Sequence, residues 1–479
     1  MLLFVTLFFL VAPAVTTDPP TGLHLDGEHA KIMFGPAGEC ELRLHPSGQS
    51  LESNCPIVSP LLHPNFPPSP TPEMPPAMPP SPGAPPFDQI TPTILDLKTV
   101  DSSLQAFFGG FTDSTYLYLA PTWDRGNIAR IALNDFTASG VDVLDLTTID
   151  SDLTGFYGGF SDGTYGYLTP NHASKIVRFA LNDFSSSGVT VLDLSSIDSL
   201  LKGHAGGFYH GGYGYLAPNY HGDTSVNSGY NGKLVRFSVS DFTTSGVTVL
   251  DLTTISAEYR GFSSIFTDGT YGYLSTYASG PGTIYYNLLR FALNDFTTSG
   301  VTAFSLSSVD SNARGFKASF TDGSYAYYVP YHIHGAQHGN FVRVSLADFS
   351  TTGVEILNLH SVDSTLGGFA GGFTDGTFAY IVGGYDGINA AGDSNYQSGK
   401  IVRIDLSDFT TSGVKVLDLE DSDSTLAGFQ GGVTDGTFGY AVPTHASHSN
   451  GRLVRFPIEP FNWASTCAPP AATGCMSSA

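Results

Sequence analysis

The sequence predicts an all-β protein built around a seven-bladed β-propeller, and three observations carry that expectation. A short phrase recurs, as "GGFTDSTYLY" from residue 109, "GGFSDGTYGY" from 159, "GGFYHGGYGY" from 206, "SIFTDGTYGY" from 264, "ASFTDGSYAY" from 318, "GGFTDGTFAY" from 371 and "GGVTDGTFGY" from 431. Arg130, Arg178, Arg236, Arg290, Arg343, Arg403 and Arg455 mark seven equivalent positions, 48 to 60 residues apart, and a period near fifty suits one four-stranded blade per repeat. The two ends of the array also complement each other. A lone fourth-strand segment, "TILDL" (93–97), precedes the first repeat, and the last repeat stops after its third strand, "RLVRF". The leading segment is therefore expected to complete the final antiparallel blade, which removes the open edges.

Each repeat reads strand by strand. "GFAGGF" is a short inner strand whose glycines suit the centre where blades converge. "DG" supplies a hairpin turn, "TYGYL" the second strand and "GKLVRF" the third. "NDFTTSG" is a turn and "VTVLDL" the fourth strand. Fifteen residues after each repeated arginine stands the polar residue of the "LDL" strand: Asp145, Asp193, Asp251, Ser305, Asn358 and Asp418, with Asp96 for Arg455 on closure. A cross-strand ion pair on one face of the blade is the expectation, since a sheet covered on both faces leaves a cation in need of a partner. The aspartates of "DG" and "NDF" read as turn chemistry.

The flanks differ in composition. Residues 1–17, "MLLFVTLFFLVAPAVTT", read as a secretory signal peptide. Segment 18–58 holds Cys40 and Cys55, equidistant from Ser47-Gly48; a hairpin turning there sets Leu44 opposite Leu51 and brings the cysteines into reach of a disulfide. Residues 59–88 are a Pro-rich linker, with thirteen prolines between 59 and 86, and are expected to form an extended polyproline spacer. The propeller is assigned 89–461, and 462–479 a C-terminal tail in which Cys467 and Cys475 are expected to close a second disulfide. Secretion or display at the cell surface follows, with no transmembrane segment after signal cleavage.

The period is kelch-like and a Gly-Gly is present, although the Tyr and Trp of a kelch repeat are not laid out in the kelch manner. The wording of the repeat resembles that of secreted repeat proteins of unicellular algae, a family without a settled function, over roughly residues 92 to 461. That resemblance implies the fold and a secreted address and transfers no site residue.

Function is sought where the repeats disagree. A net charge of −23 argues against nucleic acid as a partner. The loops from second to third strand vary most and carry Tyr and His, as in "PNYHGDTSVNSGYNGK" and "PYHIHGAQHGN", which points to a binding face. At the entry to the inner strand the blades carry Gln105, Thr154, Lys202, Arg260, Arg314, Gly367 and Ala427 before the "GF" step. Just after it they carry Phe108, Tyr157, Ala205, Ser263, Lys317, Ala370 and Gln430. Four cations thus fall in three successive blades, a basic arc in an acidic protein that would focus anionic ligands. Lys202, Arg260, Arg314 and Lys317, with His204, Tyr331, His332 and His334, are the expected ligand-binding residues for an acidic glycan. Pairing of the cations with acids such as Glu258 and Asp310 is the competing expectation. His332, His334 and His338 have alternating spacing that suits a metal, but they share one loop with no adjacent acid, so neither metal nor cofactor is expected. No carboxylate occupies the inner-strand entry and no nucleophile elbow or phosphate loop occurs. A secreted or cell-surface binding module, for an extracellular glycan or protein ligand, is favoured over a propeller hydrolase or lyase and over a purely structural matrix protein.

Overall fold

A computed structural model describes residues 22–26, 29–34, 40–44, 51–53, 86–277, 286–333, 336–384, 397–444 and 451–458. The chain divides into two compact units, residues 1–81 and 82–479. In the first, Gly22–Asp26, His29–Phe34, Cys40–Leu44 and Leu51–Ser53 form a four-stranded antiparallel meander. Leu44 pairs with Leu51, the register the spacing about Ser47-Gly48 predicts, and two further strands extend the hairpin into a sheet. The signal peptide, Cys55, Cys467 and Cys475 lie outside the described residues, and with them both disulfides.

The second unit is a seven-bladed propeller of four-stranded antiparallel blades. Blades 1 to 7 begin with the inner strands Phe107–Thr112, Phe156–Ser161, His204–His210, Phe262–Thr267, Phe316–Thr321, Phe369–Thr374 and Phe429–Thr434. Six blades run in sequence order from inner to outer strand. The seventh is completed from the N-terminal side: Thr93–Asp96 pairs with Arg452–Pro457, Leu95 against Leu453 and Ile94 against Val454. Backbones converge at the centre so closely that a side chain on Gly371 would lie 2.4 Å from the Gly432 nitrogen of the next blade, the crowding that requires glycine.

Seven clusters of buried side chains hold the disc together, one for each junction between neighbouring blades. In six blades the turn aspartate locks its hairpin with both oxygens. Asp162 Oδ1 accepts from the Thr164 and Tyr165 backbone nitrogens at 2.8 and 2.7 Å, and Oδ2 accepts from the buried Tyr167 hydroxyl at 2.8 Å. Blade 3 has His210-Gly211-Gly212 there, and its Tyr215 has no such aspartate.

The repeated arginines depart from the expected pairing. Arg130 lies opposite Asp142, and Asp145 lies opposite Asn127; the same offset holds around the ring, with Arg178 opposite Thr190 and Arg455 opposite Thr93. A 3-10 turn, Ala138–Gly140, delays the fourth strand until Val141, so the opposing residue comes twelve positions after the arginine. The fifteenth lies an odd number of residues further on and therefore faces the other side of the sheet. The "LDL" aspartate instead caps the following 3-10 turn, as where Asp145 accepts from the Thr147 nitrogen at 2.9 Å.

Each arginine is held by two aromatic rings. Its own second strand supplies one and the "DF" turn of the next blade the other: Arg130 sits 4.3 Å from Tyr116 and 4.4 Å from Phe184, Arg343 4.5 Å from Tyr325 and 4.2 Å from Phe409. Arg343 also donates to the Leu406 carbonyl of the next blade at 3.0 Å and to Glu355 at 2.9 Å. These cation–π contacts tie neighbouring blades at their outer edges. Blade 7 has no "DF" turn of its own, because its fourth strand comes from elsewhere in the chain. Phe87, in the 3-10 turn Phe87–Gln89, fills the vacant role, 5.1 Å from the Arg403 guanidinium and 1 % exposed against Tyr380 and Phe456. The end of the proline-rich stretch thus belongs to the propeller.

Candidate functional site

The mouth of the central channel is built from two positions per blade, and the local backbone fixes both. The leading residue of each inner strand pairs with the last of the second strand, as Phe156 with Pro170 and Phe316 with Pro330. In six blades a glycine in the left-handed region precedes it (blade 1 has Ala106): Gly315 (φ 75°) accepts from the Tyr331 nitrogen at 3.0 Å, and a side chain on it would lie 1.9 Å from the His332 carbonyl. The residue just inside the pair faces the channel, beside the residue just past the second strand.

Two cavities open there. One, of about 870 Å3, is lined by Phe108, Tyr157, Lys317 and Gln430 from the first position, by Tyr277, Tyr331 and Thr444 from the second, and by Trp123, Asp124 and Arg125 of the blade 1 loop. The other, of about 350 Å3, shares Phe108, Tyr157, Tyr277 and Lys317 and adds Asn171, Asn219, Tyr220, Ser228 and Tyr230. Both volumes lie in the range of small-molecule sites.

At their common wall the Lys317 ammonium stands 5.1 Å from the centre of Phe108, 5.4 Å from Tyr331, 5.6 Å from Tyr277 and 5.9 Å from Tyr157, within cation–π range of all four. Two of these rings come from blades 1 and 2, stacked on each other at 4.1 Å and 11°; the other two follow the second strands of blades 4 and 5. The lysine side chain of blade 5 therefore spans the channel. Burial pushes the Tyr157 hydroxyl up, so it remains a neutral donor at physiological pH. Gln430, 9 % exposed, leaves its amide oxygen without a hydrogen bond.

Of the residues the sequence singles out, Lys317 and Tyr331 stand in this cavity. Arg314 lies over the Tyr286 ring at 4.8 Å. Lys202 sits beside the 219–231 loop, its carbonyl accepting from the Asn231 amide at 3.1 Å. Lys202, Arg260 and Arg314, each just before a left-handed glycine (Gly203, Gly261 or Gly315), line neither cavity, although Thr154 at the same position of blade 2 lines the larger one. Nor does Glu258 pair with them; it accepts from the Asn287 amide at 3.1 Å.

The histidines divide as well. His204 occupies the position held by Phe in the other six blades, is fully buried, and makes no hydrogen bond of good geometry through either ring nitrogen, the Pro170 carbonyl offering a loose acceptor. Burial pushes its pKa down to about 4. His332 stacks on Tyr331 at 3.8 Å and helps hold that ring. His338 is buried with both nitrogens against backbone: Nε2 lies 3.2 Å from the Gly315 carbonyl and Nδ1 3.4 Å from the Asn340 nitrogen. It is thereby committed to holding the loop. His334 lies outside the described residues, and among the described residues no three His, Cys, Asp or Glu side chains group as a metal site.

Sequence reasoning did not single out Trp123, Phe108, Tyr157, Tyr277 and Gln430, all of which line the larger cavity. The signal was present for three of them, since the position after "GF" holds Phe108, Tyr157 and Gln430 in blades 1, 2 and 7. Counting only cations at that position hides the aromatics with which the lysine works.

No protein-family model matches the chain, and no curated protein sequence matches it. Among solved structures the chain is similar to virginiamycin B lyase from Staphylococcus aureus, with 12 % identity over 77 % of this chain and 100 % of that one and a TM-score of 0.51. It is also similar to a chain of the mitotic checkpoint complex, with 9 % identity over 78 % of this chain and 98 % of that one and a TM-score of 0.50. At such identities the likeness is one of fold alone. No helix among the described residues is long and apolar enough to cross a membrane.

Proposed function

We propose that the protein is a secreted or cell-surface binding module that recognises a glycan bearing an acidic group at the mouth of its propeller channel. The observation that carries this reading is the lysine ammonium ringed by four aromatic side chains inside a cavity of ligand size. Aromatic faces offer flat apolar contact with a polar edge, which suits the faces of sugar rings. The ammonium supplies a point charge for a carboxylate or sulfate, and low-dielectric walls strengthen that contact. Gln430 and Thr444 in the larger cavity and Asn171 and Asn219 in the smaller add polar side chains of the kind that bond hydroxyls. The secreted address rests on the leader and the proline-rich spacer together with the algal-repeat resemblance.

Catalysis finds less support. The single carboxylate along the two cavities, among the described residues, is Asp124; it lies 3.4 Å from Arg125 and its side chain is 85 % exposed. No second acid faces it there, so the pair of carboxylates used in glycoside hydrolysis is not assembled by these residues.

A glycan array with the full chain is the test, followed by calorimetric titration of any acidic hit against wild type and Lys317→Gln. Binding to an acidic glycan is expected, weakened at least about tenfold in the variant, as for loss of one charge-assisted contact. Absence of glycan binding, or equal affinity of the two proteins, overturns the reading.

A further inference from the structure

We propose that blade 3 binds a small monocarboxylate at its first hairpin turn, where His210 replaces the aspartate of the other six blades and the Tyr215 hydroxyl and Arg236 remain. The turn lies at the opposite end of the strands from the channel mouth, so the proposal is independent of the glycan reading.

The other blades show what this turn is made to hold. Their aspartates accept from the tyrosine hydroxyl at 2.6 to 3.0 Å. In blades 1, 2, 4, 5 and 7 that hydroxyl also interacts with the repeated arginine, so cation, phenol and carboxylate form one balanced group. Blade 3 keeps the phenol and the arginine and lacks the acid. Tyr215 is buried, and the charged group acting on its hydroxyl is Arg236. Arg236 is half-buried and makes no ion pair among the described residues, and its Nε has no hydrogen bond. A cation so placed favours an anion beside it.

The replacement also leaves room. A cavity of about 320 Å3 opens at the turn, lined by His210, Tyr213 and Tyr215 of blade 3 and by Thr270, Leu293 and Asn294 of blade 4. His210 does not take over the aspartate's role: its ring makes no hydrogen bond and leans toward blade 4, where a side chain on Gly269 would lie 4.0 Å from its Cε1. The hairpin is closed by backbone instead. Gly211 (φ 57°) and Gly212 (φ 88°) are both left-handed, and His210 pairs with Tyr213. Burial pushes the Tyr215 hydroxyl up, which keeps it a neutral donor.

The lining limits the ligand to one charge and a short body. Tyr215, Thr270 and Asn294 offer donors, and Leu293 with the Tyr213 ring gives an apolar wall. Asp268 of the adjoining turn has its oxygens engaged by Thr270, Tyr271 and Tyr273, and its charge disfavours a second anionic group on the ligand.

The test is a ligand-observed NMR titration of the full chain with acetate, acetamide and sulfate. Acetate is expected to bind with a Kd on the order of 1 mM, reasonable for so small a ligand, and acetamide and sulfate at least about tenfold more weakly. His210→Asp supplies the acid internally, and is expected to abolish acetate binding while raising the denaturation midpoint in acetate-free buffer. Tyr215→Phe removes the buried donor and is expected to weaken acetate about tenfold. Lys317→Gln is expected to leave acetate binding unchanged, which separates this site from the channel mouth. If acetate does not bind, if sulfate binds as tightly, or if His210→Asp binds acetate as the wild type does, the carboxylate site is wrong and the glycan reading is untouched.

Discussion

Among the described residues, and apart from Arg314 over Tyr286, the cation–aromatic contacts of this propeller fall into two sets, one at the rim and one at the centre. At the rim, seven arginines each lie between two rings from neighbouring blades. At the centre, one lysine lies among four rings drawn from four blades. The chemistry is the same and the multiplicity is not. A contact made at every junction serves what every junction needs, adhesion of one blade to the next. A contact made once breaks the sevenfold pattern, and assembling rings from blades 1, 2, 4 and 5 around one ammonium does nothing for the blades individually. Symmetry marks the scaffold and its breaking marks the site.

The contrast is most severely tested where the rim pattern is supplied from outside its own blade. Phe87→Ala removes the ring that closes the seventh arginine sandwich and opens a cavity beside Tyr380 and Phe456. A loss of about 3–5 kcal/mol in chemical denaturation is expected, as for other buried Phe truncations. A loss no larger than that of a surface substitution would mean that the N-terminal clasp is dispensable.

Blade 3 gives the next effect, because it breaks the pattern inside the core. His204, neutral and buried, titrates at 6.5 when unfolded and at about 4 when folded. The unfolded chain therefore binds the proton first as pH falls. Stability is unaffected above the unfolded value, declines from pH 6.5 downward, and has lost about 3 kcal/mol once the pH passes below the folded value. His338 is shifted in the same direction, so the His204 share is read by difference. His204→Phe, the residue of the other six blades, is expected to flatten the acid limb of the denaturation midpoint against pH. An unchanged limb would show that His204 is not the acid-sensitive group.

The smallest effects sharpen the comparison directly. Arg343→Gln loses two ring contacts and the bond to Leu406, and should destabilise by about 1–2 kcal/mol. Lys317→Gln, half-buried at the open mouth, should change stability by under about 0.5 kcal/mol while it weakens ligand binding. Equal losses would erase the distinction between rim and centre.

Most of the scaffold was legible because it is written seven times. The "DG" turn, the two complementary ends and the ring position after "GF" all follow from comparing repeats. The arginine partner was not legible, since a turn that includes a 3-10 segment shifts the register by three residues and reverses the face. His204 illustrates the opposite failure. It stands in the sequence Lys202-Gly203-His204-Ala205-Gly206, yet the position it occupies is a core Phe position, and burial rather than composition decides its chemistry. The basic arc likewise read as four cations in one sector, whereas the fold brings Lys317 to both cavities and Lys202, Arg260 and Arg314 to neither.

By itself, then, the sequence determined the number of blades, the closing strand and the positions that face the channel, because local turn chemistry and alternation repeat with every blade. Only the tertiary structure decided which of those positions meet. Phe108 and Lys317 are 209 residues apart in the chain, and circular closure places both at the wall shared by the two cavities.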